Sequence, residues 1–177
     1  MIIGFTGIAG SGKDTAAALI AKRLGKIEIL AFAKPLKDAA QILFNFTDDQ
    51  LHDPVKKEEI DPRWGKSPRK IFQWLGTDIL REHIDKDFFI INMRQKIENS
   101  NADFIVVTDV RFPNEAELIR SMGGKVIKIV RPDATTTEHS SHITEQGIPE
   151  SLVDKIIIND GTIEDFNDEI MELLRLL

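Results

Sequence analysis

Seven residues near the start of the chain, Gly7-Ile8-Ala9-Gly10-Ser11-Gly12-Lys13, have the spacing G-x-x-x-x-G-K. In a loop of this kind backbone N–H groups point inward to cradle an anion, and the lysine reaches the outer phosphates of a nucleotide. Glycine tolerates positive φ and lets the backbone approach the anion, and a helix starting directly afterwards adds its positive dipole end. The chemistry implied is phosphate binding and phosphoryl transfer. The next position departs from the commonest form: Asp14, with Thr15 behind it, stands where a Ser or Thr hydroxyl usually meets Mg²⁺. Asp14 either takes the metal role, directly or through water, or is an early-helix acid favoured by the dipole.

Further along, Thr108-Asp109 ends the most apolar run of the chain, Phe104-Ile105-Val106-Val107. A carboxylate there is placed to hold Mg²⁺ or its water shell; the bland alternative is an Asp that opens the loop to Pro113. Arg111 follows, and Arg131 closes the next apolar run. A guanidinium at either position could stabilise charge on a transferring phosphoryl group without titrating, or be a solvated surface arginine. Lys34, Lys37, Arg63, Lys66, Arg69, Lys70 and Arg81 make a locally basic stretch. Arg69, Gln73, Asp78 and Arg81 fall along one expected helix, so several could share a face with an acceptor phosphate and base, Arg81 and Gln73 foremost. Ordinary helix-surface charge is the competing reading. Trp74 is expected in the core rather than stacked on a base. His139 to His142 read as part of a polar closing loop rather than as a metal or catalytic site.

These residues need a scaffold. Ile2 to Phe5 is a short apolar run before the glycine loop, and Thr15 to Leu24 carries apolar residues at helical spacing. A strand over 27–32 and a helix from Pro35 to Phe44 follow, then a charged stretch without period over 47–66 and a helix from Pro68 to Arg81. Helix 87–97, strand 104–107, helix 113–122, strand 126–130, a polar segment, strand 156–158 and helix 163–176 complete the chain. Alternation of this kind predicts an α/β fold, a five-stranded parallel sheet flanked by helices on both faces. One domain over 1–177 is expected, with a helical acceptor-binding excursion at about 34–86 and a lid at about 132–150.

The 177 residues carry a formal net charge of −6 and 29% charged residues, so any anion site must be local and neither nucleic acid nor an anionic membrane is an expected partner. The absence of cysteine excludes disulfides, thiolate metal sites and thiol nucleophiles. With no secretory signal pattern and no apolar run of spanning length, the expected location is the cytoplasm.

Four stretches together resemble the deoxynucleoside monophosphate kinases of phages and bacteria: Gly7 to Thr15, including the unusual Asp14; Phe32-Ala33-Lys34-Pro35-Leu36-Lys37; Ser67-Pro68-Arg69 through Gln73 to Asp78 and Arg81; and Val107 to Glu115. Arg131-Pro132 and Ile158-Asn159-Asp160-Gly161-Thr162 extend the likeness. The resemblance implies a P-loop nucleoside-monophosphate-kinase fold, ATP as co-substrate, Mg²⁺ as cofactor, small nucleotides as partners and a homodimer at the family level. By motif and placement, Gly7, Ala9, Gly10, Ser11, Gly12, Lys13, Asp14 and Thr15 are the candidate ATP site, and Lys13, Arg111 and Arg131 the candidate catalytic residues. Asp14 and Asp109 are the candidate metal contacts by their placement, and the resemblance implies acceptor contacts at Lys34, Arg69, Gln73, Asp78 and Arg81. Kinases of the phosphomevalonate or dephospho-coenzyme A type share the architecture and differ in acceptor, and a nucleotide-gated binding module is the non-enzymatic alternative.

Overall fold

In the computed structural model, residues 1–132 and 147–177 are described, and the chain divides into two compact units: Met1–Ala31 with Met93–Leu177, and Phe32–Asn92. The first unit contains β1 (Ile2–Thr6), β2 (Ile27–Leu30), β3 (Phe104–Val107), β4 (Lys125–Val130) and β5 (Lys155–Ile158), all parallel, in the order β2-β3-β1-β4-β5. Gly4 lies level with Val107 on one side of β1 and with Val126 on the other.

Alternation along β1 shows how the sheet is covered. Ile3 and Phe5 point into a core shared with Ala16, Ala17 and Ile20 of α1 (Lys13–Arg23) and Phe166, Ile170 and Leu173 of α7 (Ile163–Leu176). Gly4, on the opposite face, is close to Val110 and to Ile119 of α6 (Pro113–Ser121): a Cβ there would lie 3.0 Å from Val110 Cγ2. Helices therefore cover both faces, as the unbroken apolar runs predict. Each fully buried Ile or Phe of the inner strands contributes about 1.5–3 kcal/mol relative to exposure. The edge strands are less covered, with Ile29 of β2 and Ile158 of β5 at 45% and 54% exposure.

The second unit holds α2 (Lys34–Phe44), α3 (Asp48–His52) and α4 (Pro68–Gln73), around Ala40, Phe46, Leu51 and Ile71. Pro35 and Pro68 open α2 and α4, where a missing N–H costs nothing. Phe44 stacks on Phe46 and meets Trp64 edge-on, and Phe46 meets Phe72 edge-on. The stretch 47–66, which carries no hydrophobic period, is nevertheless ordered. Thr47 and Gln50 form a reciprocal cap on α3, and Asp61 organises the turn to Lys66. Asp61, its side chain 3% exposed, accepts from Arg63 and from Gln50 Nε2 at 2.9 Å, so polar groups do here what an apolar pattern does elsewhere.

Two expectations in this unit are corrected. The helix from Pro68 does not remain α-helical to Arg81: beyond Gln73 it continues as a π-helix over Trp74–Ile84, closed by Asp85 N–H donating five residues back to Leu80 O. The wider turn contains Gly76, where a Cβ would lie 2.8 Å from Leu36 Cδ2, so a side chain there would require the Leu36 side chain to shift. Trp74, expected in the core, is 49% exposed, because burial at this turn falls instead to Ile71 and Gly76. After Asp85, α5 (Phe88–Asn99) leads back to β3.

Candidate active site

The parallel order puts the loops after β1, β3, β4 and β5 on one edge of the sheet, the carboxyl edge, where open α/β sheets bind ligands. β1 is central, and the chain leaves it for β2 on one side and later crosses to β4 on the other.

The loop between β1 and α1 owes its shape to glycine. Gly7, Gly10 and Gly12 have φ of 141°, 77° and 108°, and a Cβ on Gly7 would stand 2.3 Å from Ile129 O. No other residue fits at Gly7 without displacing the backbone of β4. Gly12 is the N-cap of α1, so the helix begins directly at the loop and brings the positive end of its dipole there. Lys13 Nζ donates to Gly7 O (2.9 Å) and Ile8 O (2.7 Å) and lies 3.4 Å from Ser11 Oγ, which holds the ammonium across the loop. Ser11 is fully buried, and Ala9 and Gly10 form the exposed rim. Asp14 and Thr15 are exposed on the first turn of α1.

At the end of β3, Val110 N–H donates to Phe5 O, tying this turn to the strand that carries the phosphate loop. Thr108 is buried and Asp109 partly buried. Arg111 and Phe112 donate backbone N–H groups to Glu115 Oε2 (2.8 and 3.1 Å), so the buried Glu115 carboxylate shapes the turn on which the exposed Arg111 sits. Arg131 is exposed directly after β4, where Val130 O accepts from Asn159 N–H. The glycine loop, Asp109, Arg111 and Arg131 thus share the carboxyl edge.

Among the described residues no three His, Asp or Glu side chains converge as a metal cage. Mg²⁺ commonly uses one or two carboxylates with phosphate oxygens and water, so the donors present at Asp14 and Asp109 fit it. The lid expected at about 132–150 falls largely on 133–146, with His139 and His142, outside the described residues.

The five residues expected to contact the acceptor all lie in the second unit. Lys34 Nζ pairs with Asp38 (2.9 Å) along α2, and Arg69 Nε pairs with Glu58. Arg81 lies 4.8 Å above the Phe89 ring. Gln73 ends α4, whereas Asp78 and Arg81 belong to the π-helical segment, so the α-helical phase linking Arg69 to Gln73 does not extend to them. Asn159 and Glu115 are functional candidates only in the structure, where Asn159 bonds the phosphate loop and Glu115 shapes the Arg111 turn. A Glu two residues after Pro113 is a legible helix-start signal; Asn159 lies in a stretch that carries the family likeness, but nothing in that stretch points to its partner 148 residues away.

A family model described as Deoxynucleotide monophosphate kinase matches residues 49–170. A protein of Acanthamoeba polyphaga mimivirus, whose name assigns it the same activity provisionally, is 39% identical over 97% of this chain and 94% of its own length. The Deoxynucleotide monophosphate kinase of Escherichia phage RB69 is 33% identical over 75% of this chain, and the match spans 54% of that longer protein. The crystal structure of shikimate kinase from Aquifex aeolicus superposes with a TM-score of 0.54 at 15% identity, covering 99% of this chain and 96% of that one, and so shares the P-loop kinase fold. The glycine loop on β1, the fold and a match over most of the length agree: the chain belongs to the deoxynucleotide monophosphate kinase family, a family of phosphotransferases.

Proposed function

We propose that this protein transfers the γ-phosphoryl group of ATP to a deoxynucleoside 5′-monophosphate, releasing ADP and the deoxynucleoside diphosphate. The observation that carries the reading is Lys13 held across a glycine-shaped loop in a chain of this family. In this reading the loop N–H groups bind the ATP phosphates, and Lys13 leaves its own carbonyls for β- and γ-phosphate oxygens, following the charge as it develops. Arg111 and Arg131 stabilise charge on the transferring group from the ends of β3 and β4. Asp14 and Asp109 hold Mg²⁺ or its waters, and the ion, when bound, neutralises phosphate charge and orients the triphosphate. Acceptor recognition falls to Lys34, Arg69, Gln73, Asp78 and Arg81, with Arg81 on the acceptor phosphate. The two units form one functional kinase domain acting in the cytoplasm.

The test is ADP release coupled to a reporter, run with each deoxynucleoside monophosphate in turn and with ribonucleotides, phosphomevalonate and dephospho-coenzyme A as alternative acceptors. Turnover that requires a deoxynucleotide is expected. Equal turnover with a non-nucleotide acceptor would replace the substrate class, and nucleotide binding without any acceptor-dependent ADP release would replace the enzyme by a binding module.

A further inference from the structure

Asn159 stands directly after β5 and is joined to the phosphate loop by its side chain: Nδ2 donates to Ser11 O at 2.9 Å. Its backbone N–H donates to Val130 O at 2.7 Å, anchoring the residue to the end of β4. The contact with the loop is tight, since a Cβ on Gly12 would lie 2.6 Å from Asn159 Nδ2. No peptide in the described residues is cis, so the Ser11–Gly12 unit is trans, with its C=O and N–H pointing in opposite directions. An amide that captures Ser11 O therefore also sets the direction of the Gly12 N–H, which must point away from Asn159.

We infer that Asn159 is a positioning residue for the triphosphate site: by holding the Ser11 carbonyl it locks the Ser11–Gly12 peptide with the Gly12 N–H aimed at a bound phosphate oxygen. Gly12, at φ 108°, lies in a region with little intrinsic preference for one peptide orientation, and a loop of three positive-φ glycines gains most from such a latch. This inference rests on the proposed ATP-binding role of the loop. The side chain acts on the phosphates through the backbone and touches no reacting atom.

The test uses the full chain with two variants, Asn159→Leu, which keeps roughly the volume and removes the donor without adding charge, and Asn159→Ala. Binding of Mg·ATP and of inorganic tripolyphosphate is measured by calorimetry, with melting temperature and the KM of each substrate alongside. The expected result is a loss of about tenfold or more in affinity for both ligands, because both present phosphates to the same peptide, with the acceptor KM within about twofold of wild type. A loss for ATP with tripolyphosphate unchanged would show a contact to the base or sugar and overturn the inference. Unchanged affinity for both, with only a lower melting temperature, would reduce Asn159 to a structural link. Should Asn159→Ala fail to fold, Asn159→Leu alone decides. If the wild-type protein binds neither ligand, the ATP reading fails and the inference fails with it. If the wild type binds both and the variants match it, the inference alone fails.

Discussion

The phosphate loop and the helical unit handle charge in opposite ways. In the loop the anion-binding groups belong to the backbone, shaped by Gly7, Gly10 and Gly12, and the one cation, Lys13, rests on carbonyls of that same loop. In the helical unit the cations are side chains already engaged within that unit: Lys34 with Asp38, Arg69 with Glu58, Arg81 with the Phe89 ring. A backbone site is preorganised and loses little freedom when a phosphate enters. A side-chain site must exchange partners first. The exchange costs little where the pair is exposed, as for Lys34–Asp38 at 61% and 53% side-chain exposure, since such pairs contribute about 0–1 kcal/mol. It costs more at the less exposed Arg69–Glu58 pair. Preorganisation on one side and exchange on the other therefore predict large, all-or-none effects in the loop and graded effects in the helices.

The sharpest way to break that comparison is Lys13→Ala, expected to lower kcat by at least about a hundredfold while circular dichroism and melting stay near wild type. Normal turnover in the folded variant would remove the loop from catalysis. Arg81→Ala comes next: the acceptor KM should rise about tenfold or more and the ATP KM by less than about twofold, measured by varying each substrate at saturation of the other. An equal rise for both would take Arg81 off the acceptor phosphate.

Asp14→Asn should raise the Mg²⁺ concentration for half-maximal rate by about a fewfold, with activity largely recovered by added metal, because an amide keeps the shape but gives up an anionic oxygen. Superimposable Mg²⁺ titrations would leave Asp14 as a helix-start acid that contributes about 0.3–1 kcal/mol to stability.

The smallest effect tests the polar frame of the helical unit. Hydrogen bonds from Arg63, with a further one from Gln50, hold the Asp61 carboxyl well below the usual carboxylate range against the opposing effect of burial. A depressed folded-state pKa gives stability that is fully present above the unfolded value of about 3.9 and is lost as pH falls towards the folded value. Melting temperature should thus fall more steeply below about pH 4 in wild type than in Asp61→Asn, whose neutral amide has no such dependence. Parallel curves would show that the Asp61 charge does not support the turn.

Legibility in the sequence followed the range of the interactions. β1, the glycine loop and α1 were readable together because G-x-x-x-x-G-K ties residue type to local backbone shape. α7 was readable to its ends from Ile163 to Leu176, and its cap at Thr162 and Asp165 is local as well. α3 left only a short signal, Thr47 and Gln50, inside a stretch whose order depends on the distant Asp61. The exposure of Trp74 and the change to π-helix were not readable, because apolar residues at helical spacing do not say which of them faces the core or how wide the turn is.

The sequence by itself determined the alternation of strand and helix, the phosphate loop and the family, since each rests on spacings of a few residues or on matches spread along the chain. Tertiary structure alone decided that Asn159 grips the Ser11 carbonyl, that Glu115 is buried beneath the Arg111 turn, and that Asp78 and Arg81 lie on a π-helical turn. The physical reason is that a hydrogen bond across 148 residues depends on the meeting of two segments, neither of which names the other as its partner in its own sequence.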